Sequence, residues 1–414
     1  MAEYSRIQIS QLVASGEVEL KTGPFGTQLK ASEYTEHGTP VINVRNIGFG
    51  SIKADKLEFI SPATRDRLSS HLLRRGDIVF GRKGAVERHV FIRREQDGWF
   101  QGSDCLRLRF ASPRVEPLFA SYYFLTADHQ RWMMNQCSHG ATMSSLNQDI
   151  LERIELPLPP LPVQRRIAGI LSAYDELMEN IQRRIRILEA MARALYREWF
   201  VHFRFPGHEK LPRVASPLGH IPKGWEVKKL KDVCRLTMGQ SPKSEFYNET
   251  GEGQPFHQGV TDFGDRFPTD RLFCTVEGRI AEAGDILFSV RAPVGRMNIA
   301  DKKIIIGRGV SAIRHNDDHQ AFLWEQLRNR FTEDDMMGNG AIFAAVTKDD
   351  MQGIELICPP SPLVVAATKH FDPIHTELGT LTKKIQNLRL TRDLLLPRLL
   401  SGQVNLTTEE QSPS

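Results

Sequence analysis

From residue 171 onward, apolar side chains return at Leu171, Tyr174, Met178, Ile181, Ile185, Leu188, Ala192 and Leu195, with gaps that alternate between three and four. Polar and charged residues fill the positions between them. This spacing marks a long amphipathic helix whose narrow apolar seam needs another helix to cover it. Shifting every position by 200 gives Phe371, Ile374, Leu378, Leu381, Ile385, Leu388, Arg392 and Leu395, the same seam with one charged interruption. Each helix is expected to run for about 35 residues, about 50 Å. Each follows a Pro-Pro pair, at 159–160 and 359–360, which stops the preceding strand and stiffens the entry. The nearest cover for either seam is the other helix. An antiparallel pair within one chain is the favoured arrangement, and a parallel homodimer is its rival.

The 200-residue shift extends upstream of the helices. "GATMSSLNQDILERIELPLPPLP" (140–162) and "GAIFAAVTKDDMQGIELICPPSP" (340–362) align without a gap. "RRGDIVFGRKG" (74–84) resembles "EAGDILFSVRAPVG" (282–295), each reading as a Gly-Asp turn, a short apolar strand and a basic loop. "SEYTEHGTPVINVRNI" (32–47) has a fainter counterpart in "SEFYNETGEGQPFHQGVTDF" (244–263), with an aromatic, a glycine turn, a proline and a strand. A repeat this long is a duplicated domain. The expected architecture is α+β: two similar mixed domains separated by two long antiparallel coiled-coil helices about a pseudo-twofold axis. The expected boundaries are 1–160 for the first domain and 161–202 for the first helix. A linker and the second domain occupy 203–358, the second helix 359–403, and a polar, disordered tail 404–414.

Composition narrows the class. The chain has 414 residues, 40% of them apolar and 25% charged, as expected of a well-cored soluble protein. No apolar run is long enough to span a membrane, and the N-terminus lacks the apolar core of a signal peptide. Five scattered cysteines without CxxC spacing point to free thiols in a reducing, cytoplasmic setting. The net charge of +4 says little, but its distribution says more. Residues 65–94 carry nine basic against three acidic side chains, and residues 266–314 nine against five.

Sites for chemistry are hard to find. There is no phosphate-cradling GxxxxGK[ST] loop, no glycine-rich methyl-donor loop, and no HExxH, GxSxG or Cys/His metal spacing. His139 faces Asn339 across the repeat, which argues against an acid–base role shared by both halves. Asp77 and Asp285 recur, but as turn formers before a strand. The chain reads as a binder. Two similar basic domains suit a ligand that repeats at a fixed distance, as duplex DNA does. The turns supply side chains for phosphates and base edges: Thr27, Gln28 and Lys30; Asn43, Arg45 and Asn46; Arg82 and Lys83; Thr142, Ser144, Ser145 and Asn147. The second half offers Gln240, Ser241 and Lys243, then His257 and Gln258, then Arg291 and Arg296. The halves share glycines, prolines and apolar positions, whereas the polar positions mostly differ.

The whole chain, with its duplicated Pro-Pro entries, matched helices and the ending "LLPRLLSGQV", resembles the DNA-specificity subunits of type I restriction-modification systems. The resemblance implies two target-recognition domains, each reading one half of a bipartite double-stranded DNA site. It also implies a helical spacer that docks two modification (methyltransferase) subunits, with restriction/translocase subunits joining them. S-adenosylmethionine, ATP and Mg would then belong to those partners, with no cofactor, metal or catalytic residue on this chain. One departure concerns docking. The family commonly has Glu-Gln after the prolines, whereas here the first copy reads Val163-Gln164 and the second has neither residue. If that dipeptide seats a modification subunit, the second seat is altered. A scaffold whose helices only organise proteins, or an enzyme acting alone on DNA, would be the rival readings.

Overall fold

The computed structural model describes residues 4–24, 26, 28–137, 144–332, 346–404 and 406. Thr27 and Thr142 lie outside the described residues, as do His139, Asn339 and, beyond Val404 and Leu406, the tail. The chain divides into two compact units. One holds the residues up to Met178 together with those from Asn387 on, and the other runs from Glu179 to Gln386. Both divisions fall inside the long helices, so the helices are not bodies separate from the domains. Each unit is built around one half of each helix.

In the first unit, Val18–Thr22, Cys105–Phe110, Ile78–Gly81 and His89–Phe91 form successive antiparallel neighbours, with Phe49–Gly50 added parallel at the edge. A second sheet orders Tyr34–Thr35, Glu58–Ile60, Thr39–Ile42 and Phe100–Gln101, the last pair parallel. The second unit repeats this plan. Cys234–Met238, Val310–His315, Ile286–Ser289 and Met297–Ile299 make one sheet. Tyr247–Asn248, Phe273–Cys274, Gln254–His257, Ile304–Ile306 and Ile280–Ala281 make the other. The apolar strands IVFG and ILFS are buried at every position, because sheet neighbours pair on both sides and helices cover the face.

The repeated aspartates do what their turns require. Asp77 accepts the backbone N–H of Arg74 at 2.7 Å, and Asp285 that of Glu282 at 2.8 Å. Each also pairs with an arginine of the neighbouring strand, Arg109 at 2.7 Å and Arg314 at 2.5 Å. Buried carboxylates need such partners.

The spacer helices are Leu161–Tyr196, continued by a π-helical turn at Arg197–Val201, and Ser361–Leu400. In the first unit Ile167, Ala168 and Leu171 pack with Leu396, Leu399 and Leu400. In the second, Ala192 and Tyr196 pack with Val364, Ala367 and Phe371. The start of one helix meets the end of the other, so the pair is antiparallel and lies within one chain. Arg392, which interrupts the seam, is half-buried and pairs with Asp175 at 2.7 Å; Asp175 in turn accepts the hydroxyl of Tyr122 at 2.7 Å. Helix Pro117–Phe124 is thereby tied to the spacer. At the corresponding place in the second unit, Arg266 donates to Nδ1 of His375 at 2.9 Å, and Nε2 of His375 lies 2.9 Å from Glu325. With Nδ1 accepting, the ring proton sits on Nε2 and goes to Glu325.

The Pro/Gly-rich stretch expected to be a linker is ordered. Arg213–Ser216 and Gly219–Pro222 form a hairpin, and Phe205, Ile221 and Trp225 are buried with Phe200 and Phe322. The stretch carries aromatic side chains large enough to anchor it to a core.

Candidate nucleic-acid interface

In the first unit several loops are stitched together by backbone hydrogen bonds at one end of the main sheet. Gly23 N–H donates to Cys105, Gly102 to Ile42, Arg82 to Asp104, Gly84 to Ser144 and Leu146 to Arg82, all at 2.8–3.0 Å. Lys83 and Ser145 form a further bridge. Asn43, Arg82, Lys83, Ser144 and Ser145 therefore belong to one loop cluster, though they are far apart in sequence. Gln28 and Lys30 are exposed on either side of Leu29, which is buried with Val41, Ile60 and Phe100 of the second sheet. A Cβ at Gly23 would lie 1.9 Å from the carbonyl oxygen of Gly102, so only glycine lets these strands cross there.

The second unit builds the same cluster. Gly239 donates to Val310, Gln240 to Ile306, Gly307 to His257, Gly309 to Gln258, Val290 to Gly309 and Val346 to Val290. A Cβ at Gly239 would lie 2.1 Å from the Gly307 carbonyl oxygen, the same crossing as at Gly23. Ser241 accepts the backbone N–H of Arg308 at 3.1 Å, and Ser289 accepts that of Arg296 at 2.8 Å. Gln258 and Arg291 line a concavity of about 250 Å³ together with Arg271, Arg308 and Asp262.

The candidate side chains are in different states. Lys83 is exposed and 3.4 Å from Asp104; Arg45 is exposed and 2.7 Å from Glu58, which also accepts the Asn43 amide at 2.6 Å. Gln240, Lys243, Gln258, Arg291 and Arg296 are exposed, with Lys243 3.9 Å from Glu245. Asn46 is fully buried. Its oxygen accepts the Asn43 N–H at 3.1 Å and its amide donates to the Lys53 carbonyl at 3.0 Å, so it shapes the loop and cannot reach a ligand. Asn147 and Thr347, which differ across the repeat, both cap the short helix that follows, accepting N–H groups at 2.9 and 3.2 Å. Their divergence exchanges one cap for another. His257 is fully buried between Asp262 and Asp270, at 3.9 and 3.4 Å; burial holds its imidazole below the ordinary range despite both carboxylates.

Two residues of the concavity, Arg271 and Arg308, were not among the sequence candidates. Arg308 had a local signal, an arginine between two glycines directly after the apolar run "III", much like "GRKG". Arg271 had none.

Residues 25–190 and 222–387 each match the family model of the type I restriction modification DNA specificity domain. The chain belongs to the type I restriction-modification DNA specificity family. It is 30% identical to the MjaX type I restriction enzyme specificity subunit of Methanocaldococcus jannaschii, over 90% of this chain and 88% of that one. The HindI specificity subunit of Haemophilus influenzae is 22% identical over 80% of this chain and 87% of its own length. Among solved structures, the S subunit of a type I restriction-modification system from M. genitalium superimposes with a TM-score of 0.65 at 17% identity, covering 96% of each chain. The specificity subunit is the DNA-recognising component of such a system and not a catalytic one. The two loop clusters thus belong to its two recognition domains.

The altered dipeptide after the prolines has a structural explanation. Gln164 is fully buried, accepts the Glu116 N–H at 2.9 Å, and donates to the Arg114 and Pro159 carbonyls at 2.8 Å. It fastens the helix start to its own domain and presents nothing to a partner. Its counterpart Val364 makes the equivalent attachment by apolar packing with Phe322 and Trp225.

Proposed function

We propose that each recognition domain reads one half of a bipartite duplex site through its loop cluster, with exposed cations meeting phosphates and amides or guanidinium groups meeting base edges. The observation that carries this reading is the same stitched loop cluster built twice, with glycines and backbone hydrogen bonds retained and polar side chains changed. One scaffold with two readout surfaces suits an asymmetric site. The spacer helices would dock two modification subunits, which restriction/translocase subunits then join. S-adenosylmethionine, ATP and Mg would serve those partners. Among the described residues, no cluster of His, Cys, Asp and Glu could hold a metal, and no helix is long and apolar enough to cross a membrane. Cytoplasmic residence follows from this reading.

Docking has a physical basis in the spacer. Ile187 and Met191, one turn apart on the first helix, are each 53% exposed; Leu390 and Leu394 on the second are each 63% exposed. Apolar pairs at i,i+4 suit a helical partner.

Binding of the full chain, copurified with its modification subunit, to duplex DNA across a salt series tests the reading. A complex touching 6–10 phosphates loses about 10³–10⁵ in affinity between 50 and 200 mM salt. Affinity that does not respond to salt would favour a scaffold without DNA specificity. Leu390→Lys with Leu394→Lys should abolish copurification of one modification subunit, and unchanged stoichiometry would remove that docking face.

A further inference from the structure

The loop cluster of the second unit differs from that of the first in one chemically specific way. Arg291 and Arg308 are exposed over the concavity beside Gln258, and neither guanidinium has a hydrogen-bond or ion-pair partner among the described residues. The carboxylate lining the same concavity, Asp262, is taken by Arg271 at 2.9 Å. What remains exposed is rich in donors: two guanidinium forks, which cannot accept, beside the Gln258 amide, which does both.

Strand register gives the first-unit counterparts. Gly81 faces Cys105 as Ser289 faces Val310, so Lys83 corresponds to Arg291 and Ser103 to Arg308. There the cation is a lysine already 3.4 Å from Asp104, and the second position is neutral. The backbone holds the two arginines close: Val290 N–H donates to Gly309, and Gly309 N–H donates to Gln258, both at 3.0 Å. A Cβ at Gly309 would lie 2.5 Å from the Gln258 carbonyl oxygen, so glycine keeps Arg308 against that strand. At about 250 Å³ the concavity falls below the roughly 300 Å³ of a pocket that encloses a small molecule. It suits an edge presented to it.

A pair of adjacent acceptors is the edge that fits a guanidinium fork. In the major groove guanine offers N7 and O6, both acceptors, and a guanidinium fork matches them with two parallel hydrogen bonds. Cytosine presents an amino donor there, which neither guanidinium can accept. A phosphate contact, forked or not, specifies no base, so its loss would weaken binding to all sequences alike. We infer that the second recognition domain reads a guanine in its half-site through Arg291 and Arg308, an arginine pair that the first domain does not have at the matching positions. The inference rests on the half-site reading proposed above.

The test is selection from a randomised duplex library by the full chain copurified with its modification subunit, comparing wild type with Arg308→Lys and Arg291→Lys. Lysine keeps the charge and removes the fork. The expected wild-type motif has a guanine in one half. At least one variant should lose preference for it by roughly 5- to 150-fold, with the other half unchanged. A motif without guanine in either half overturns the inference. So does retention of the full motif by both variants, which would assign the arginines to phosphates. If one variant fails to assemble, the other lies on a separate loop and decides alone. A wild-type complex that selects no motif at all would instead bring down the half-site reading beneath it.

Discussion

Gln164 shows how much one side chain can hold. Three backbone groups of its domain, on Glu116, Arg114 and Pro159, depend on its buried amide. Gln164→Ala leaves them unpaired away from water, at a cost of about 1–3 kcal/mol. Calorimetry should therefore show an earlier transition for the first unit, with the second unchanged; an unaltered thermogram would mean water replaces the amide. Protonation acts at the same scale. Burial lowers His89 to about 3 and His71 and His129 to about 4, and also lowers His257 and His375. A base whose pKa is depressed by folding binds fewer protons folded than unfolded. Stability is therefore whole above about pH 6.5 and falls as pH drops toward 4. His89→Gln, which keeps a hydrogen-bonding group for Ser121, 2.8 Å from the ring, should flatten part of that decline in a melting series from pH 7 to 4.5. An equal slope in both proteins would assign the acid lability elsewhere.

At the scale of elements, the spacer was legible because helical periodicity is a local signal. All eight first-copy seam positions are buried or half-buried in the structure. Arg392 read as a break in the second seam, since its partner Asp175 lies 217 residues earlier and no window of sequence joins them. Arg392→Leu would perfect the periodicity, yet it strands a carboxylate that the arginine neutralises. We expect it to destabilise the first unit by about 1–3 kcal/mol, and Asp175→Asn to recover part of the loss in the double variant. A stabilised single variant would mean the seam prefers apolar character to the Asp175 pair. The loop clusters were half legible. Glycines before and after short strands marked where chains cross, so the candidates Asn43, Lys83, Ser145, Gln258 and Arg291 fall on the loops that cluster. Asn46 stands among the candidates for reaching DNA, yet it is buried, because burial of a loop asparagine depends on which carbonyls close over it. Arg271 escaped notice because its role is set by the carboxylate of Asp262, across a turn.

Over the whole molecule, duplication does two things. It supplies matched halves of two helices, so that the first unit completes its core with chain from both ends of the sequence, while the second is one continuous segment that holds the facing stretches of both helices. It also frees the polar loop positions to diverge, because the backbone hydrogen bonds that hold the loops do not depend on them. If each unit reads one half-site, inserting a four-residue block into both helices should change the gap between the halves and leave the halves themselves intact. The most direct measurement is a genome-wide map of methylated bases in a host expressing this chain with its modification subunit. The account predicts one bipartite motif, two short specified halves around a fixed unspecified gap. A single continuous motif, or no new methylation while both proteins are soluble and copurify, would contradict it.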